Sequence, residues 1–174
     1  MSVFKKSQST QFLFLPNVHS CDLFSYDTLW KEEPVKPVKK KVWTVLPKFF
    51  YGLDTWVHKC NLKCHSCGDT YDSIPVSMPV RMVKDDGKIG FEVEYNYCGF
   101  LCASRAIIKI SNISVRTQRD IMLKLMFEYY FKVKPEEIPP APDNSEREEY
   151  GGTMTNTEFR KIIEKRMEEL LAAR

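Results

Sequence analysis

The chain has 174 residues, of which 43% are hydrophobic and 28% are charged, and its formal net charge at pH 7 is +3. This length allows one domain with a sizeable core, or a module of roughly a hundred residues with arms. So small a net charge excludes a protein that coats DNA by charge alone. No apolar run approaches the length of about eighteen residues that a membrane span needs, and we expect a soluble protein that is not secreted.

Residues 1–41 predict an extended basic arm. Pro34 and Pro37 are incompatible with the interior of a helix and favour an extended chain. Three consecutive lysines follow at Lys39, Lys40 and Lys41. Aromatic side chains earlier in the arm either pack against the rest of the chain or dock on a partner, and both interpretations stay open; they are Phe24, Tyr26 and Trp30.

A folded domain is predicted over residues 42–135, and its first motif is a cysteine knuckle, Cys64-His65-Ser66-Cys67-Gly68. Two residues between the cysteines permit a tight turn, and the following glycine can adopt the positive φ that the turn needs. Cys60 offers an alternative pair with Cys64, but Gly68 and the shorter spacing favour Cys64 and Cys67. We expect His65 to face solvent or to support the ligands, not to bind the metal itself.

A β-hairpin is predicted after the knuckle. Residues 74–83 are typical of a strand, and Pro75 and Pro79 place that strand at a sheet edge. Asp86-Gly87 is a turn signal, and apolar and polar residues alternate over residues 91–97.

The second cysteine pair, Cys98 and Cys102, opens a helix predicted over residues 98–110. A spacing of four places both thiolates on one face of the first turn, where the helix dipole stabilises negative charge. Four thiolates suit a tetrahedral zinc ion and leave no open position for catalysis, so we expect one structural Zn²⁺ held by Cys64, Cys67, Cys98 and Cys102. Reduced, buried cysteines without a metal are the simpler alternative. Knuckle, hairpin and helix in this order predict a treble-clef zinc finger within a small α+β fold.

Further helices are predicted towards the C-terminus. One covers residues 118–132, begins near Thr117 and Asp120, and is apolar on nearly all sides, which indicates burial. Residues 136–153 are expected to be a Pro-rich, acidic linker. An amphipathic helix follows over residues 154–174, with Thr155 and Glu158 as a capping box, and its apolar stripe either folds back on the body or binds a partner.

Three segments carry a resemblance to a known family. Residues 46–50 (Leu-Pro-Lys-Phe-Phe), residues 63–67 around the knuckle, and residues 93–104 around the second pair resemble, in this order, the poxvirus late gene transcription factor 2 family. That family has an FCS-type zinc finger and occurs in large cytoplasmic DNA viruses, African swine fever virus-like relatives included. The resemblance covers about residues 44–130, and Gly99 stands where the finger has a serine.

The resemblance implies a viral late gene transcription factor that helps the viral RNA polymerase initiate at late promoters, together with other late transcription factors. It implies a binding module without catalysis, located in the viral factory of the host cell cytoplasm, with packaging in the virion as an option. Basic side chains are candidates for contacts with DNA phosphates or with an acidic polymerase surface: Lys39, Lys40, Lys41, Lys63, Arg105, Lys109, Arg116 and Arg119.

Two other classes of function compete with this interpretation. A zinc-stabilised adaptor would bind a polymerase, virion or host-signalling protein and never touch DNA. An enzyme is disfavoured because the sequence has no Ser-His-Asp, paired-carboxylate or phosphate-loop pattern. A redox role for Cys64 and Cys67 would need a thioredoxin-like βαβ context, which the sequence does not predict.

Overall fold

A three-stranded antiparallel sheet lies beside the cysteine pairs in the computed structural model, which describes residues 44–172. Strand β1 (Phe49–Phe50) pairs with β3 (Lys88–Tyr97), and β3 pairs with β2 (Val76–Asp85), giving the order β1-β3-β2. The predicted basic arm, residues 1–41 with its three lysines, lies outside the described residues.

The predicted hairpin is confirmed. Asp86 and Gly87 form its turn, with φ values of 44° and 79°. Strand β2 is an edge strand and tolerates Pro79, which sits beside an irregularity in the pairing with β3. A second register shift, opposite Ser77, places Tyr95 in a left-handed conformation with φ of 56°.

In the described part of the chain, three α-helices accompany the sheet: α1 (Phe100–Ile108), α2 (Ile113–Phe131) and α3 (Asn156–Ala172). Helix α2 begins five residues before the predicted start because the side chain of Asn112 accepts a hydrogen bond from the backbone N–H of Val115 at 3.1 Å. Its expected burial on nearly all sides is wrong. Ile113 and Ile121 are 68% and 53% exposed, and the buried face consists of Met122, Leu123, Met126 and Phe127.

Aromatic contacts join the helices to the sheet. Phe100, the first residue of α1, packs edge-on against Phe127 and Tyr130 of α2, with ring centroids 4.9 and 5.0 Å apart. Tyr130 in turn stacks on Phe50 of β1 at 5.5 Å. Such pairs each contribute about 1 kcal/mol beyond area burial. Together they fix the start of α1, which carries the second cysteine pair.

The segment between α2 and α3, where the sequence predicts a linker, packs along α1. Ile138 and Ala141 are buried, and the backbone N–H of Ala141 donates to the carbonyl of Leu101 at 2.9 Å. The hydroxyl of Ser104 donates to the carbonyl of Ile138 at 2.8 Å. Two short 3-10 turns follow, Asn144–Glu146 and Glu148–Tyr150.

Helix α3 folds back on the body. The sequence left open whether its apolar stripe does this or binds a partner. The predicted capping box is confirmed, since Thr155 and Glu158 exchange backbone-to-side-chain hydrogen bonds at 2.9 and 3.2 Å. Phe159 is buried at 1% exposure, and the rest of the apolar stripe is partly buried against the core: Ile163, Met167, Leu170 and Leu171. Over the residues described, no helix has the length and apolar character needed to cross a membrane.

Candidate metal centre

The four cysteines of the two predicted pairs converge on one point. The Sγ atoms of Cys64, Cys67, Cys98 and Cys102 all lie within 4.8 Å of one another. The distance is 3.8 Å between Cys67 and Cys98 and 3.5 Å between Cys98 and Cys102. Four sulfurs at about 2.3 Å from a shared tetrahedral ion would be about 3.8 Å apart. The donor set therefore fits a metal ion that prefers thiolate ligands.

Backbone hydrogen bonds hold the knuckle in shape. The N–H of Gly68 donates to the carbonyl of Cys64 at 2.8 Å, and the N–H of Cys64 donates to the carbonyl of Asp69 at 2.9 Å. The N–H of His65 donates to the carbonyl of Asn96 at 2.8 Å, which ties the knuckle to β3. Gly68 has φ of 78°, so the expected positive φ is confirmed.

Substituting Gly68 by alanine is expected to destabilise the protein by about 1 kcal/mol, because an L side chain is strained at this φ. A Cβ there would lie 3.4 Å from the hydroxyl of Tyr150, so packing is not the cause. Urea unfolding with zinc present measures the loss. Gly68→Asn is the control and is expected to lose less, since asparagine tolerates the left-handed region; equal losses for the two variants would contradict the conformational explanation.

The second pair straddles the start of α1. Gly99 is the N-cap, so Cys102 lies in the first turn while Cys98 precedes the helix. The prediction that both lie in the first turn is wrong for Cys98. The helix N-terminus still faces the sulfurs and favours their negative charge. Cys98 is partly exposed, whereas the other three cysteines of the cluster are buried.

The four thiols form one hydrogen-bonded network. Hydrogen bonds within it, that from Cys102 first, lower the pKa of Cys67 to about 6. A hydrogen bond from Cys102 also lowers the pKa of Cys64, whereas the pKa of Cys102 is raised because its proton is shared first with Cys64. A cluster that favours thiolate at two sulfurs has fewer protons to lose when a cation binds.

The other residues near the knuckle do not join the cluster. Cys60 is buried, and its thiol lies 3.4 Å from the hydroxyl of Tyr71. His58 and His65 are exposed. The ring of His65 stacks on Tyr95 at 4.3 Å, in agreement with its predicted solvent-facing position.

An outer layer of charged residues, which sequence reasoning missed, surrounds the cluster. Arg147 is fully buried, and its Nη1 donates to the carbonyl of Cys67 at 2.7 Å. Its Nη2 lies 2.8 Å from Oδ1 of Asp69, while Nη2 of Arg160 lies 2.6 Å from Oδ2 of the same carboxylate. These partners are 78 and 91 positions apart in sequence, so no local pattern marks them.

Of the basic residues predicted to contact a partner, those between residues 44 and 172 lie on more than one surface. Lys63 is exposed beside the knuckle. Lys109 and Arg119 line a cleft of about 410 Å³ that also includes His65. Arg116 lines a different cleft of about 340 Å³.

Contacts within the protein already engage several of these cations. Nε of Arg105 donates to the carbonyl of Ala141 at 2.6 Å. Lys109 pairs with Asp143 at 3.3 Å, and Arg119 pairs with Glu94 at 3.6 Å. Arg105, Lys109 and Arg119 therefore have partners within the protein, and Lys63 and Lys109 have exposed side chains.

Fold and site together define a small α+β protein with a buried cluster of four cysteines that could bind a metal ion. Comparison with known proteins finds relatives in African swine fever virus. The uncharacterized protein B175L from the Pretoriuskop tick isolate and that from the Badajoz strain are each 28% identical over 134 residues, covering 76% of this chain and 74% of the relative. A version from a Kenyan pig isolate is 27% identical over 115 residues, covering 66% of each chain.

The chain is therefore a relative of proteins of a large DNA virus. No protein-family model matches it. No solved structure gives a significant match. The resemblance to late transcription factors stays a prediction.

Proposed function

We propose that the protein is a viral late transcription factor, built on a treble-clef finger with one structural zinc, that acts by binding and not by catalysis. The single observation that supports this most is the meeting of four thiol sulfurs within 4.8 Å, two from a knuckle and two from the start of a helix, with a hairpin between them. This is the order of elements in a treble clef.

Zinc is the metal that this donor set suits best. Four thiolates in tetrahedral arrangement are typical of zinc or iron–sulfur sites, and zinc has no preference that would oppose the observed spacing. Four protein ligands leave no position for water or substrate. The centre would then stabilise a platform, and function would lie on the surface around it.

In this proposal the platform assists the viral RNA polymerase and other late transcription factors at late promoters, in the viral factory of the host cytoplasm. The family resemblance over residues 44–130 supports this role, and the relatives in a DNA virus are compatible with it. Lys39, Lys40, Lys41 and Lys63 would be the first candidates for phosphate contacts.

A protein-binding adaptor is the second candidate, and a specific observation favours it. Of the predicted basic residues in the described part of the chain, Arg105 and Arg119 have partners within the protein, and Lys109 and Arg116 line different clefts. A dispersed set of cations binds DNA phosphates weakly, but it is compatible with a protein–protein interface whose rim is polar and charged.

Reversing Lys39, Lys40 and Lys41 to glutamate distinguishes the two candidates. If the arm contacts DNA, the variant should bind late-promoter duplex more weakly. The plot of log association constant against log salt concentration should also become shallower, its negative slope losing about 3 in magnitude. Binding measured by fluorescence anisotropy over a salt series checks this. The control reverses three exposed lysines elsewhere, Lys84, Lys88 and Lys134, and should leave the slope nearly unchanged.

The proposal of a polymerase partner is tested by affinity capture of the full-length, tagged chain from infected cells late in infection. We expect viral RNA polymerase subunits in the eluate, and we expect their loss with a Cys98→Ser variant. Polymerase complexes that resist salt, without DNA binding by the isolated protein, would favour the adaptor. Capsid proteins alone would overturn the transcription role.

A further inference from the structure

Helix α3 reaches the cysteine cluster through one side chain. Nη1 of Arg160 lies 3.7 Å from Sγ of Cys98, and Nη2 lies 4.0 Å from Sγ of Cys67. Both distances suit N–H donation to sulfur, an acceptor larger than oxygen. Arg160 thus contacts one ligand from each cysteine pair.

Asp69 fixes the direction of this guanidinium. Its Oδ2 accepts from Arg160 at 2.6 Å, and its Oδ1 accepts from the buried Arg147 at 2.8 Å. The backbone carbonyl of Asp69 also accepts from the N–H of Cys64 at 2.9 Å. The carboxylate that orients Arg160 is therefore part of the knuckle itself, and movement of the guanidinium away from the sulfurs would break a charged hydrogen bond.

Arg160 also stands beside the most accessible ligand. As a whole residue, Cys98 is the partly exposed member of the four, so Arg160 covers the side of the cluster that is nearest to solvent. Four thiolates around a divalent cation carry an excess negative charge, which an arginine at the sulfurs offsets. Because Arg160 donates to one sulfur of each pair, it also links the two pairs from outside the cluster and restrains both ligands.

We propose that Arg160 is a positioning residue of the metal centre, whose hydrogen bonds hold the sulfurs of Cys98 and Cys67 in place and slow the release of the metal. The proposal rests on the zinc centre proposed above. It makes α3 part of the metal site, and it gives Arg160 a role separate from any contact with DNA or polymerase.

The test measures how fast zinc moves from the full-length protein to an excess of a chromophoric chelator, pyridylazoresorcinol. Arg160→Gln is expected to release zinc about 10-fold faster, the usual scale for loss of an outer-layer partner. Arg160→Lys keeps the charge and should fall between wild type and Arg160→Gln. The control Lys165→Gln changes an exposed cation on the same helix, 78% exposed, and should release zinc at the wild-type rate.

Hydrogen exchange of α3 separates this role from simple docking of the helix. Phe159 and the apolar stripe remain in Arg160→Gln, so amide protection over residues 156–172 should stay near wild type while release becomes faster. Release at the wild-type rate, an equal effect of Lys165→Gln, or faster release only together with lost α3 protection would overturn the proposal. Should Arg160→Gln fail to fold, Arg160→Lys carries the same comparison. If the wild-type protein contains no zinc, the proposed zinc centre is wrong. If zinc is present but leaves Arg160→Gln at the wild-type rate, only the role of Arg160 is wrong.

Discussion

Removal of the metal is expected to unfold the domain predicted over residues 42–135, because the cysteine cluster and the hydrophobic core are one structure. Cys64, Cys67 and Cys102 belong to the same buried cluster as Tyr97 and Phe100. A structural zinc contributes roughly 10 kcal/mol or more to folding, which is comparable to the whole stability of a typical domain. The metal-free chain should therefore lose its cooperative fold.

Circular dichroism during titration with a strong chelator measures this. We expect loss of the helical signal and of the near-ultraviolet aromatic signal, and recovery of both when zinc is added back in excess. The control uses the same chelator already saturated with zinc, which should change nothing. A metal-free chain that still unfolds cooperatively would refute a structural role for the metal.

Loss of the buried arginine is expected to have the next largest effect. The Arg147 side chain is fully buried and pairs with Asp69, and its Nε donates to Oδ1 of Asn156 at 2.9 Å. It also packs over the ring of Phe159, 4.8 Å from the centroid. Arg147→Ala would remove the guanidinium that donates to the Asp69 carboxylate and to the carbonyl of Cys67, and it would open a cavity beneath α3. We expect a loss of about 3 to 5 kcal/mol.

Urea unfolding with zinc saturated measures this loss, and Arg81→Ala is the matched control. Arg81 also pairs with a carboxylate, that of Glu92, but its side chain is 66% exposed. Exposed ion pairs contribute less than about 1 kcal/mol. If the two variants lose similar stability, Arg147 is not the buried anchor between the knuckle and α3 that its contacts indicate.

The parts of the fold with local signals could be predicted from the sequence. The Asp86-Gly87 turn and the alternation before Tyr97 predict the hairpin, and the helix predicted from residue 154, with its Thr155–Glu158 capping box, begins within two residues of the start of α3. The cysteine spacings predict the cluster for the same reason, since each pair is set by one turn. These features depend on residues that are close in sequence.

The rest could not be predicted because it depends on pairing between distant residues. Arg147 lies among charged residues that are typical of an exposed linker, and only the approach of Asp69 and Phe159 makes its burial favourable. Helix α2 begins at Ile113 with Asn112 as its cap, whereas the pair Thr117 and Asp120 predicts a later start because it resembles a capping box. The short strand β1 is visible only through its pairing with β3.

X-ray absorption at the zinc edge tests the central claim most directly, because it reports the number and type of atoms around the metal. For purified full-length protein we predict one zinc per chain with four sulfur neighbours at about 2.3 Å. Cys60→Ser should leave that shell unchanged, because Cys60 lies outside the cluster. A shell with nitrogen or oxygen ligands, or a folded protein without zinc, would contradict the account.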